Sequence, residues 1–93
     1  MADKISKMQS IAFSVCDCDE VRLVGYSEEN FRTYAYIEII GAEEKSKRQL
    51  ALKINEVLKK GIDKYCSIDR LTLDFVNKGE HEVIVIRYCK LDE

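Results

Sequence analysis

The chain predicts an α+β domain: a β-α-β sheet of four to five strands of mixed direction, with one main helix packed across it. Three observations carry this. "TYAYIEII" at 33–40 is dense in aromatic and β-branched residues and stops at Gly41, the composition of a strand on a pleated surface. "EEKSKRQLALKINEVLKK" at 43–60 opens acidic, closes on two lysines and is followed by Gly61, which matches the charge order of a helix and offers a residue tolerant of a left-handed cap. Beyond it, 71–76 alternates Leu71, Leu73 and Phe75 with Thr72, Asp74 and Val76, the period of a strand with one buried face.

The other elements follow in chain order. Residues 1–10 read as a tail. Ile11, Phe13 and Val15 alternate with small residues over 11–16, which predicts a short strand, and "VRLV" at 21–24 a second. Within 43–60, Leu50, Ile54, Val57 and Leu58 recur at helical spacing and form one apolar stripe, while Leu52 falls off it and is available to a neighbouring subunit. "NKGE" is a turn with Gly79 free to take positive φ, and "EVIVIRYC" at 82–89 is a nearly continuous apolar strand. A strand, helix and strand in succession make the segments at 33–40 and 71–76 parallel neighbours.

With 93 residues, no proline, no repeat and no linker composition, the chain is a single domain over 1–93. A net charge of -2 carries no basic footprint, so no nucleic-acid partner is expected. No apolar run approaches the roughly 20 residues that span a bilayer, and no signal-like segment opens the chain. The expectation is a cytoplasmic protein with no membrane partner, non-classical secretion staying open. In that setting Cys16, Cys18, Cys66 and Cys89 read as reduced thiols rather than a disulfide frame.

Candidate chemistry is sparse. In "CDCDE" at 16–20, Cys16 and Cys18 fall on one side of an extended segment and can share a soft metal, but two thiolates are half a zinc site, and a strand end entering an acidic turn is the stronger reading. His81, the only histidine, sits between Glu80 and Glu82; a solvated turn residue outweighs a general base because no nucleophile is tied to it. "IIGAEEKSK" runs from strand through glycine into a helix, yet lacks repeated glycines, and Glu43 and Glu44 would repel a phosphate. No cofactor is expected.

Taken together, "LVGYS", "EIIG", the helix at 43–60 and "DRLTLDF" resemble the later two-thirds of macrophage migration inhibitory factor and its tautomerase relatives. The resemblance implies a tautomerase-like sheet, with a ferredoxin-like one as the alternative, and a trimer whose sheets enclose a channel. It places Ile40, Thr72 and Asp74 at positions that line the family's pocket. It also implies a departure: the family's catalyst is an amino-terminal proline, and this chain has none, with Ala2 first after methionine removal. Where relatives present a tyrosine and an asparagine, this chain has Thr72 and Asp74, and a carboxylate there opposes anionic keto acids.

The function expected is therefore a non-catalytic protein-binding or assembly module, with an acidic edge at Asp17, Asp19, Glu20, Glu28 and Glu29 open to a protein partner. Alternatives are a divergent tautomerase acting on a small keto acid, and a thiol or metal-binding protein using Cys16 and Cys18. A homo-oligomer is expected, trimer first and dimer second. One helix cannot cover both faces of the sheet, and Val83, Val85, Ile84 and Ile86 are the interface candidates.

Overall fold

The computed structural model describes residues 2–91, with side chains from Ser6 onward. Its elements run α1 (Ala2–Val15), β1 (Glu20–Glu29), β2 (Arg32–Ile40), α2 (Lys47–Gly61), a 3-10 turn at Tyr65–Ser67, β3 (Arg70–Asn77), β4 (Glu80–Arg87) and β5 (Lys90–Leu91). The five strands form one mixed sheet in the order β1-β2-β3-β4-β5. Only the central β2–β3 pair is parallel, with Ile37 opposite Leu73; every other pair is antiparallel. This is the α+β class expected, consistent with a tautomerase-like or a ferredoxin-like arrangement, but with two helices rather than one.

The additional helix corrects the reading of the amino terminus. Residues 11–16 were expected as a strand behind a tail over 1–10, and instead α1 runs through both. The alternation of Ile11, Phe13 and Val15 is a coincidence of composition. Met8 and Ala12, four apart, are both at 0% exposure and lie in the core with Cys16, whereas Phe13 is half exposed. A strand would have buried Phe13 beside Ile11; the i, i+4, i+8 spacing of Met8, Ala12 and Cys16 selects the helical face.

Helix α2 begins later than its acidic leader suggests. Ser46 is the N-cap, its hydroxyl accepting from the Gln49 backbone N–H at 3.3 Å, so Glu43 and Glu44 lie outside the helix. Ser46 and Gln49 have the spacing of a capping box, a sequence signal that outranks a run of glutamates. The expected stripe is in place: Leu50, Ala51, Ile54 and Leu58 are buried, and Leu52 is exposed on the outer side. Gly61 does not take the left-handed cap conformation. It is the last helical residue, followed by Ile62 in an extended conformation, and a Cβ there would come 2.6 Å from Ile11 Cδ1, so Gly61 serves the close approach of the two helices.

Both helices lie on one face of the sheet. Met8 and Ala12 of α1 and Leu50, Ile54 and Leu58 of α2 share a core with Val21, Ala35, Ile37, Ile39, Leu71, Leu73, Phe75 and Ile86. Burying each large aliphatic or aromatic side chain of this set stabilises the fold by about 1.5 to 3 kcal/mol. The single polar residue of α2 inside the core is hydrogen-bonded at both ends of its amide. Asn55 donates from Nδ2 to the Cys89 carbonyl at 2.9 Å and accepts at Oδ1 from the Tyr65 hydroxyl at 2.8 Å.

Three hairpin connections have two residues each, with positive φ at both: Asn30 and Phe31, Lys78 and Gly79, Tyr88 and Cys89. That is the handedness that matches the twist of the flanking strands. The last of these turns corrects the expectation of reduced thiols. Cys89 is brought against the 3-10 turn, its Cα 4.6 Å from that of Cys66, and the two are joined by a disulfide; Cys16 and Cys18 form another. Separated by 23 residues, Cys66 and Cys89 carry no spacing signal, and their meeting depends on the path of the whole β3–β4 hairpin.

Candidate functional site: the uncovered face of the sheet

The face of the sheet opposite the helices is not covered by any element among the described residues. Its rows can be read from the register. Tyr34 lies beside Arg70, Tyr36 beside Thr72, Glu38 beside Asp74 and Ile40 beside Val76. On the far side of β3, Thr72 pairs with Val85, Asp74 with Val83 and Val76 with His81. On the near side of β2, Arg22 pairs with Glu38 and Glu20 with Ile40, and a bulge between Leu23 and Gly25 then brings Gly25 opposite Tyr36.

Ile40, Thr72 and Asp74, the pocket candidates implied by the family resemblance, therefore do share one face. They line no enclosed cavity. A shallow hollow of about 350 Å³ lies beside Thr72, floored by Gly25 and flanked by Tyr34, Tyr36 and Arg70, with the Arg70 guanidinium 4.9 Å from the centre of the Tyr34 ring. The four interface candidates divide by parity. Val83, 52% exposed, and Val85 face outward, while Ile84 and Ile86 point to the helices, Ile86 at 1% exposure. Within the chain Ile84 and Ile86 are covered by α2, while Val83 on the other face is left exposed, so the two sets expected to need a partner are not both buried by one chain.

Asp74 is the centre of this surface. It is 4% exposed, the only buried carboxylate among the described residues, and it lies on the outer face rather than in the core. The Tyr36 hydroxyl donates to Oδ2 at 2.8 Å, and His81 Nδ1 lies 3.0 Å from Oδ1 and 3.1 Å from Oδ2. A carboxylate only accepts, so Nδ1 carries the proton in this contact. The hydrogen bond to Asp74 is the main cause that pushes the Tyr36 phenol above its ordinary value, followed by desolvation. His81 reaches Asp74 because the two-residue turn at Lys78 and Gly79 folds β4 back so that Val76 is level with His81. A sequence reading that placed His81 in a solvated turn missed this partner, seven residues away across a hairpin. Counting back from Gly79 with a two-residue turn would have found it.

The remaining sequence candidates lie elsewhere. Cys16 and Cys18 are bonded to each other near the end of α1, and among the described residues no cluster of three or more metal-ligating side chains occurs. The acidic edge is not one patch. Asp19 and Glu20 stand at the start of β1, while Glu28 and Glu29 end it, about 30 Å away at roughly 3.3 Å per residue. Asp17 contributes its carbonyl to the Glu43 N–H, and Glu28 accepts from the Tyr26 hydroxyl at 2.7 Å.

A second polar cluster, missed by the sequence reading, ties the chain's corners together. Asp69 accepts from the Thr33 N–H at 2.7 Å and from the Tyr88 hydroxyl at 2.6 Å, and the Tyr88 bond is the main cause that holds its carboxyl below the usual aspartate range. Its bonds join the start of β2 to the turn at Tyr88, which makes it a structural lock. No helix among the described residues is long and apolar enough to cross a membrane. Comparison with protein-family models, curated proteins and solved structures finds no match.

Proposed function

We propose that the chain is a non-catalytic protein-binding or assembly module that works through the uncovered face of its sheet. One observation carries the reading: the outer face combines exposed apolar side chains, Val83 and Tyr36 among them, with a buried, hydrogen-bonded carboxylate at Asp74. Burying a carboxylate is costly unless it is well satisfied, so its place on a face with no covering layer suits a surface that is completed by another protein. The chemistry of an enzyme is less well supported. The hollow beside Thr72 opens to solvent rather than enclosing a substrate away from water.

A photo-reactive amino acid placed at Val83, in cells that make the protein, tests the reading. Cross-linked product is expected from Val83 and not from Lys60, an exposed residue of α2 on the opposite side. Equal yields from the two positions, or none from Val83, would remove the proposal.

A further inference from the structure

We infer that the Cys66–Cys89 disulfide is an exchange site for a small anionic thiol of the glutathione kind, whether or not the outer face binds a protein. The two disulfides of the chain stand in opposite electrostatic settings. Cys66 lines an open hollow of about 530 Å³ together with Lys7, Lys59, Lys60 and Lys64, and Asp63 is the one carboxylate of that lining among the described residues. Glu56 pairs with Lys59 at 3.4 Å, and the carbonyl end of α2 adds a partial negative charge of about half a unit. The four ammonium groups outnumber both carboxylates, so the hollow is basic. Asp69, the next acidic residue along the chain, is held by the Thr33 N–H and the Tyr88 hydroxyl. Cys16–Cys18 is the counter-case. Cys16 is 8% exposed, and Cys18 lies half-buried between Asp17 and Asp19 in the sequence. The hollow beside Asp17 also carries Glu43 and Glu44, so that three carboxylates stand against Lys45 and Lys53.

The sulfur open to attack is that of Cys66. It is exposed in the 3-10 turn, whereas Cys89 is half-buried against the core with its carbonyl held by Asn55. The incoming thiolate attacks Cys66 Sγ; its electron pair forms the new S–S bond, the Cys66–Cys89 bond breaks, and Cys89 leaves as a thiolate that takes a proton from water. A second molecule of the same thiol attacks the sulfur of the first and frees Cys66 as a thiolate, which is protonated in turn. Two small thiols are thereby oxidised to one small disulfide, and the protein's disulfide is reduced to two thiols. The lysines act twice. They raise the local concentration of an anionic thiol, and they stabilise the negative charge spread over the three sulfurs as the bonds exchange. At Cys16–Cys18 the same thiol meets Asp17 and Asp19 and is repelled.

The test uses the purified full chain, oxidised in air, with glutathione as the anionic thiol and cysteamine as the cationic one at equal thiolate concentration. Acid quenching, alkylation and peptide mass spectrometry read the loss of each disulfide separately. At low salt the glutathione-to-cysteamine rate ratio at Cys66–Cys89 should exceed that at Cys16–Cys18 by about tenfold or more, and the excess should shrink near about 1 M salt, where charges act over only about 3 Å. Comparing ratios cancels the different leaving groups of the two disulfides and the different nucleophilicities of the two thiols. Trapped mixed disulfide should be found on Cys66. Lys7→Glu with Lys60→Glu, both exposed, should lower the glutathione rate at Cys66–Cys89 by about fivefold or more and leave the ratio at Cys16–Cys18 unchanged. Should that pair misfold by circular dichroism, Lys7→Gln with Lys60→Gln replaces it, with a smaller loss in the same direction expected. Equal ratios at the two disulfides, a glutathione rate indifferent to the lysines, mixed disulfide on Cys89, or Cys66 and Cys89 left unpaired in air would each overturn the inference, as would a Cys66–Cys89 bond that resists glutathione.

Discussion

The Tyr36 hydroxyl donates to Asp74 Oδ2 at 2.8 Å across the parallel β2–β3 seam, with the two residues one register step apart. This bond raises the phenol from its ordinary value of 10.0. The folded value lies above the unfolded one, so the stability from this pair is present below pH 10 and is lost as pH rises through the folded value. Asp74→Asn removes the leading cause. Tyrosine titration by NMR should therefore find Tyr36 deprotonating at higher pH in the wild type than in the variant, and identical curves would mean that the bond is absent in solution.

The Cys66–Cys89 disulfide closes a loop across 23 residues. By the chain-entropy estimate a loop of that length contributes about 3 kcal/mol, a value that depends on the model used. Cys66→Ser with Cys89→Ser should lower the unfolding free energy in urea by about that amount. The buried Asn55, which holds the Cys89 carbonyl, should keep the turn in place in the folded variant. A change near zero would show that the loop is already constrained in the unfolded chain.

Phe31 is fully exposed at the tip of the first hairpin with φ of 65°, a region that costs a non-glycine residue roughly 1 kcal/mol or more. Its ring makes no core contact that would offset this. Phe31→Gly creates the Asn-Gly pair preferred at such turns, and denaturant unfolding should show a gain of about 1 kcal/mol, reduced in part by the greater freedom of glycine in the unfolded chain. Destabilisation would mean that the ring has a partner within the chain.

Phenylpyruvate and similar enolisable keto acids should not be tautomerised above the buffer rate. The chain has no proline, and Asp74, beside Thr72 on the face, is a buried carboxylate already bonded to Tyr36 and His81. Saturable turnover of such a keto acid by the purified chain would reverse the non-catalytic reading.

What could be read from the sequence follows the range over which each signal acts. The strand at 33–40, the stripe of Leu50, Ile54 and Leu58 and the turn at Gly79 are local patterns, and the structure keeps them. The first helix was missed because three alternating apolar residues within it imitate a strand, and only Met8, Ala12 and Cys16 taken together show the helical period. Asp74 was visible as a carboxylate on the polar side of a strand, but its burial was not, since Tyr36 and His81 reach it from separate strands. Pairing of Cys66 with Cys89 is likewise a property of the assembled sheet rather than of any spacing.

The parallel seam also orders events in time. The β1–β2 and β3–β4 hairpins close over two-residue turns and are local, microsecond-scale events, whereas β2 cannot meet β3 until α2 and the 3-10 turn between them are in place. The seam is therefore expected to form late in folding, with Tyr36 and Asp74 on either side of it. Pulse-labelled hydrogen exchange should protect amides within the two hairpins before those that bridge β2 and β3, and simultaneous protection would contradict this order. Until the seam zips, each half of the sheet exposes a bare strand flank and the outer face does not exist, so any binding through that face would wait on the chain's own folding.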